Sequence, residues 1–183
     1  MSEFNFPTEV IELPSKGLVY PKDNPLSSGK VQIKYMTAKE EDILTNQSYI
    51  QKGNVLDKLL ESVVVDKINI NDLIVGDKNA LLIATRILGY GKDYDIVVKG
   101  QNYTLDMSTL EHKEIDESEF EAGKNEFSYT TPSTGTVLTY QLSTGRVEKQ
   151  VEREIAGLKK LKKEDTAELT TRLKHIITSV AGS

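Results

Sequence analysis

From Thr8 to Leu13, and again from Lys30 to Tyr35, apolar and polar residues alternate, with Val31, Ile33 and Tyr35 on one side of the second run. A period of two reads as half-buried strand, and the two runs predict an N-terminal β-hairpin. Pro7, Pro14, Pro21 and Pro25 forbid a helix here, and Tyr20 to Gly29, rich in Pro, Asp, Asn, Ser and Gly, predicts an exposed loop. Then the period changes. Thr37-Ala-Lys-Glu40 is a capping-box sequence opening a helix that carries Ile43 and Leu44. Asn54 is placed to cap a second helix, with Val55, Leu56, Leu59, Leu60 and Val63 toward a core. Asp77 is placed to cap a third, running through Leu88 and ended by Gly89 and Gly91. In that third helix Ala80, Leu81, Ile83, Ala84, Ile87 and Leu88 cover more than half the circumference, which predicts burial on several sides at the centre of the N-terminal core.

Further along, Tyr94 to Lys99 and Tyr103 to Met107 flank Gly100-Gln-Asn102, a hairpin signal with Ile96, Val98 and Leu105 expected inward. Glu126 to Thr131 and Thr136 to Leu142 form a second extended pair around Pro132-Ser-Thr-Gly135. Thr144 can cap a helix bearing Val147, Val151, Ile155 and Leu158. After Lys162-Lys-Glu-Asp165 a second helix bears Leu169, Leu173, Ile176, Ile177 and Val180, so the two read as an antiparallel helical hairpin. The chain is therefore expected to be α+β in three parts. Residues 1–92 give the N-terminal β-hairpin and small helical core, 93–142 a β-rich module with an acidic connector, and 143–183 the C-terminal helical hairpin.

Composition narrows the chemistry. With 183 residues, no Cys and two His, at 112 and 175, thiolate nucleophiles, disulfides and Cys- or His-rich metal sites are excluded, and no cofactor or metal is expected. No run approaches the ~20 apolar residues of a membrane span, and Met1-Ser-Glu-Phe-Asn lacks the basic and apolar regions of a signal peptide, so the chain is expected to stay where it is made, with no membrane partner. The net charge of −5 argues against whole-surface attraction to nucleic acid. It is segregated, however. Residues 143–183 carry nine basic residues against six acidic, residues 1–142 fourteen against twenty-two, and Asp106 to Glu126 alone holds eight acids against Lys113 and Lys124.

Gly89-Tyr-Gly91-Lys92 glances toward a phosphate-binding loop, but it follows a helix and precedes a strand, the reverse of the required order, and reads as a helix C-cap. Asp93 with Asp95, and Asp116 with Glu117, could serve acid–base work only in a cleft; solvated loop acids are the simpler reading. Asp66-Lys-Ile-Asn-Ile-Asn-Asp72 lacks the central glycine and third-position ligand of a calcium loop. Lys159, Lys160, Lys162 and Lys163 could contact phosphates, which supports a nucleic-acid-binding module as an alternative function. Cations at a helix C-terminus also complement its dipole, and no aromatic is interleaved for base stacking, so nucleic acid is the disfavoured partner. Eight Tyr, among them Tyr20 and Tyr49 in polar contexts, suit a chain that functions by docking.

Several segments taken in order carry a resemblance. Leu13-Pro-Ser-Lys-Gly-Leu-Val-Tyr-Pro21, Tyr35-Met-Thr-Ala-Lys-Glu-Glu-Asp-Ile-Leu44, Gly53-Asn-Val-Leu-Asp-Lys-Leu-Leu60, Val75-Gly-Asp-Lys-Asn-Ala-Leu-Leu-Ile-Ala84 with Gly89-Tyr-Gly91, and Glu168-Leu-Thr-Thr-Arg-Leu-Lys174 resemble the baseplate hub assembly family of T-even-type contractile-tailed phages. The resemblance implies a viral late protein without catalytic activity, acting in assembly of the central hub by docking to other hub or tail proteins. It would do so in the bacterial host cytoplasm, and in the virion if retained; a tail-assembly chaperone absent from the virion is the related alternative. The contacts expected are Leu13, Lys16, Leu18 and Tyr20 of the first loop, Tyr49, and Val147, Val151, Ile155 and Leu158 of the first C-terminal helix. Some members of that family carry Cys-x-x-Cys where this chain has Val98-Lys-Gly-Gln-Asn102, so here hydrogen bonding alone must hold the turn. Members also continue with helical sequence past the equivalent of Ser183.

Overall fold

The computed structural model describes residues 7–112, 114–160 and 168–182. The fold is α+β. Strands β1 (Thr8–Glu12) and β2 (Lys30–Lys34) pair antiparallel, with Thr8 opposite Lys34 and Glu12 opposite Lys30. Three helices follow, α1 (Ala38–Leu44), α2 (Gln47–Gln51) and α3 (Val55–Val63), and then the longer α4 (Val75–Tyr90). Strands β3 (Asp93–Val98) and β4 (Gln101–Asp106) make a second hairpin, and β5 (Phe127–Thr130) and β6 (Val137–Tyr140) a third pair. The chain closes with α5 (Gly145–Lys160), α6 (Glu168–Ile176) and β7 (Ile177–Val180). Among the described residues no helix is long and apolar enough to cross a membrane.

The core lies where the first hairpin, α3 and the start of α4 meet. Val31 and Ile33 from β2, Leu59, Leu60 and Val63 from α3, Leu73 and Ile74 ahead of α4, and Leu81 within it are all buried. No residue from Ala80 to Leu88 is exposed, but of the wide apolar arc of α4 only Ala80 and Leu81 are buried, while Ile83, Ala84, Ile87 and Leu88 are partly covered, so the helix enters the core by its first turns and is not buried on several sides. Burying such side chains is worth roughly 1.5–3 kcal/mol each and is what holds the hairpin to the helices.

At the start of α1 the capping-box glutamate forms: the Glu40 carboxylate accepts from the Thr37 N–H (2.8 Å) and hydroxyl (2.6 Å). It also accepts from Ser62 (2.6 Å) and pairs with Lys34 (3.0 Å), tying α1 to α3 and β2. Burial pushes this carboxyl up, but the hydrogen bonds from Ser62, Thr37 and Lys34 outweigh it and hold it down at about 2.

Several expectations change. Residues 20–29 are not simply an exposed loop, because a 3₁₀ turn (Pro25–Ser28) drives Leu26 fully into the core. Asn54 sits at the start of α3 without a side-chain capping bond, and its Oδ1 is buried with no partner among the described residues. Leu56 is exposed, and the inward position beside it belongs to Asp57. Asp77 does not cap α4; Ile74 occupies the N-cap, and Asp77, in the first turn, is buried. The helix runs through Gly89 and ends at Gly91 alone.

In the C-terminal part, Thr144 caps α5 as expected, accepting from the Val147 N–H at 3.3 Å. The last helix is shorter than its spacing predicts. It stops at Ile176, and residues 177–180 pair as β7 with β6 in the sheet β5-β6-β7. Leu169 and Leu173, two of the apolar residues that helix bears, are exposed, while Thr171 is buried. The boundary set at residue 142 is therefore crossed by strand pairing. It is crossed again toward the N-terminal core, where the Gly145 N–H donates to the Leu73 carbonyl (3.0 Å) and Lys149 pairs with Asp57 (2.7 Å).

Candidate interaction surfaces

On the β3–β4 hairpin Tyr94, Val97, Val98, Tyr103 and Leu105 are all exposed. Its register puts Tyr94 opposite Leu105, Ile96 opposite Tyr103 and Val98 opposite Gln101 on one face, with Asp93–Asp106, Asp95–Thr104 and Val97–Asn102 on the other. The first face is apolar, the second mostly polar. Tyr94, Val98, Tyr103 and Leu105 are 37–50% exposed, so the face expected to point inward is largely uncovered. The sheet has two strands, and a two-stranded hairpin without a third strand or a helix across its apolar face is only marginally stable in water.

Local contacts fix this hairpin at its base and tip. Arg86 of α4 donates to the carbonyls of Gly91 (3.0 Å) and Asp93 (3.3 Å), and its guanidinium lies 4.9 Å from the Tyr90 ring centre and 5.6 Å from that of Tyr94. Lys92 pairs with both Asp106 and Asp93. At the tip, Lys99 and Gly100 both have positive φ (50° and 80°), the two-residue turn whose twist matches the strands. Hydrogen bonding and backbone geometry thus hold the turn, as a chain without cysteines there requires.

The residues expected to form the first docking loop divide sharply. Leu13 and Tyr20 are core residues, only 2% and 4% exposed, and so offer no docking surface. The reason is Asp77. Its carboxylate accepts from the Ser15 N–H (3.0 Å), the Ser15 hydroxyl (2.6 Å) and the Tyr20 hydroxyl (2.6 Å), and the Tyr20 oxygen in turn accepts from the Ile74 N–H (3.0 Å). Burial, beside the Asp77 charge, pushes the Tyr20 phenol well above its ordinary value, so it stays a neutral donor. Lys16 remains exposed and pairs with Glu117 (2.5 Å), Leu18 is half-buried, and so is Tyr49.

The stripe on α5 is also largely spent inside the protein. Val151 is buried and likewise offers no docking surface; Val147, Ile155 and Leu158 are partly covered. α6 packs along it through Glu148–Arg172 (2.7 Å), Glu154–Lys174 (2.8 Å) and Glu154–His175 (2.8 Å). Asp57 holds the opposite side of α5 through Lys149 while also pairing with Lys78; burial raises its carboxyl, and those two lysines more than reverse the shift.

Of the lysines weighed for nucleic acid, Lys159 pairs with Glu168 (3.1 Å), Lys160 is exposed, and Lys162 and Lys163 lie outside the described residues. The acids weighed for catalysis stay on open surface: Asp93 and Asp95 on the polar hairpin face, and Asp116 accepting from Ser118 (3.0 Å from the N–H). His112 lines two open grooves, one of about 570 Å³ beside Leu13 and Lys16, the other of about 380 Å³ along α4. Among the described residues no group of His, Asp and Glu is arranged to hold a metal ion.

Comparison with protein-family models, with curated proteins and with solved structures gives no match for this chain.

Proposed function

We propose that the chain acts by docking to other protein subunits, without covalent chemistry, as a participant in assembly of a phage tail baseplate hub in the host cytoplasm. The observation that carries docking is the uncovered apolar face of the β3–β4 hairpin, presented on a locked base. Two of the segments that resemble the hub assembly family support the same reading from a different side. Residues 13–21 and 75–84 meet through Asp77 and build the scaffold from which α4 leads directly into the hairpin. The occupant of the face is a hub or tail subunit offering a complementary apolar strand or helix.

Replacing Val98 and Tyr103 by Asp together puts two charges on this face without touching the core. The double variant is expected to keep its thermal unfolding midpoint within a few degrees and to lose at least ten-fold in the hub subunits that copurify with a tagged chain from assembling tails. Undiminished copurification would remove the hairpin from the docking surface.

A further inference from the structure

A second surface, independent of the hairpin, lies on α5. At 100° per residue, Arg146, Lys149, Gln150, Arg153, Gly157 and Lys160 fall on one face of the helix, opposite the stripe of Val147, Val151, Ile155 and Leu158. Arg146, Gln150, Arg153, Gly157 and Lys160 are all exposed, and no acidic residue shares their face. A Cβ at Gly157 would meet nothing within 4 Å, so the middle of the face is open to close approach.

Where the N-terminal end of this face meets the turn Ile70–Asp72, a recess of about 210 Å³ is lined by Asn69, Asn71, Arg146, Lys149, Gln150 and Arg153. Of its side-chain amide acceptors only Gln150 Oε1 is unengaged among the described residues. Asn69 Oδ1 accepts from the Asn71 N–H and side-chain amide (3.0 Å each), and Asn71 Oδ1 accepts from Lys149. Arg146 is engaged by Asp72 and Lys149 by Asp57. What remains without a partner among the described residues is a set of donors: the Arg153 guanidinium and the amides of Asn69 and Gln150, with Lys160 two turns further along. The free donors, one of them a guanidinium, outnumber the single free acceptor, which favours an anion.

We propose that this face of α5 binds an acidic protein segment, one carboxylate seated in the recess on Arg153 and Gln150 and a second reaching Lys160. Arg153 and Lys160 lie seven residues, roughly 10 Å, apart, so a partner meets them with acids seven positions apart on a helix or about three apart on a strand. A carboxylate matches the planar guanidinium fork. Nucleic acid fits less well, because two of the four cations are already neutralised by Asp57 and Asp72 and the face carries no aromatic for a base to stack on.

The test is a fluorescence-anisotropy titration of the full chain with a labelled poly-glutamate peptide, and with a single-stranded oligonucleotide of equal charge, at low salt. The peptide is expected to bind, to weaken as salt rises, and to bind at least ten-fold more weakly to Arg153→Glu/Lys160→Glu. The control Lys22→Glu/Lys67→Glu, which makes the same charge change at exposed cations elsewhere, is expected to retain binding within about two-fold. Salt-sensitive self-association lost in the same α5 variant would also support the proposal, with the acidic segment supplied by a second copy. No peptide binding, an equal loss in the control, or tighter binding of the oligonucleotide would overturn it.

Discussion

Asp77→Ala is expected to lower the unfolding free energy by at least about 4 kcal/mol, because hydrogen bonds to a charged acceptor contribute roughly 1.5–3 kcal/mol each and three end on this carboxylate. Removing it leaves the Ser15 N–H, the Ser15 hydroxyl and the Tyr20 hydroxyl inside the protein with nothing to donate to. The loss reaches further than the contact, since Ser15 Oγ also accepts from the Gly17 N–H (3.1 Å) and Tyr20 also receives the Ile74 N–H at the start of α4. Urea unfolding followed by circular dichroism measures the loss. Amide exchange locates it, with residues 13–21 expected to open well before the rest of the core. Asp77→Asn, which keeps the volume and one acceptor oxygen, is expected to lose less. A loss below about 1 kcal/mol in the alanine variant would mean that the carboxylate does not hold the loop.

Gly17→Ala is expected to be of similar severity by a different route. Gly17 has φ +79°, and an added Cβ would lie 2.5 Å from the Ser27 carbonyl oxygen and 2.6 Å from the Gly29 nitrogen. These are backbone atoms of the 3₁₀ turn that seats Leu26, and they cannot swing aside as a side chain would. Left-handed strain of roughly 1–2 kcal/mol and overpacking of roughly 1–3 kcal/mol add in the same direction, giving a loss of about 2–5 kcal/mol. Gly53→Ala separates the two terms: its φ is +68°, with nothing within 4 Å of the added Cβ, so only the strain is expected there. Equal losses at the two positions would show that the packing of residues 17 and 29 contributes nothing. Urea midpoints of the two variants decide it.

Both predictions fall on a loop whose role the sequence only half discloses. Local signals were legible: the glutamate of the capping box, the Thr144 cap, the alternation of β1 and β2 and the turn at Lys99-Gly100 each depend on residues a few positions apart. The place of Asp77 is not legible locally, because an aspartate near the start of a helix looks the same whether it caps the helix or enters the core; what decides is Ser15 and Tyr20, 62 and 57 residues away. The hairpin shows a second limit. Alternation identifies which of Tyr94, Ile96, Val98, Tyr103 and Leu105 share a face, but not whether anything covers that face. At the C-terminal end Ile176, Ile177 and Val180 fit a helical spacing, yet the β-branched run Ile176-Ile-Thr178 favours a strand, and pairing with β6 settles it. The donors on α5 were hidden for the same reason, since Asn69 and Asn71 meet Arg153 only in the folded chain.

Crosslinking mass spectrometry during tail assembly tests docking most directly, because Lys99 stands at the tip of the hairpin and supplies its own reactive amine. Crosslinks from Lys99 and from Lys92 at the hairpin base to a hub or tail subunit are the predicted result. Efficient crosslinking at lysines elsewhere in the chain, with Lys99 and Lys92 joined to no other subunit, would contradict it.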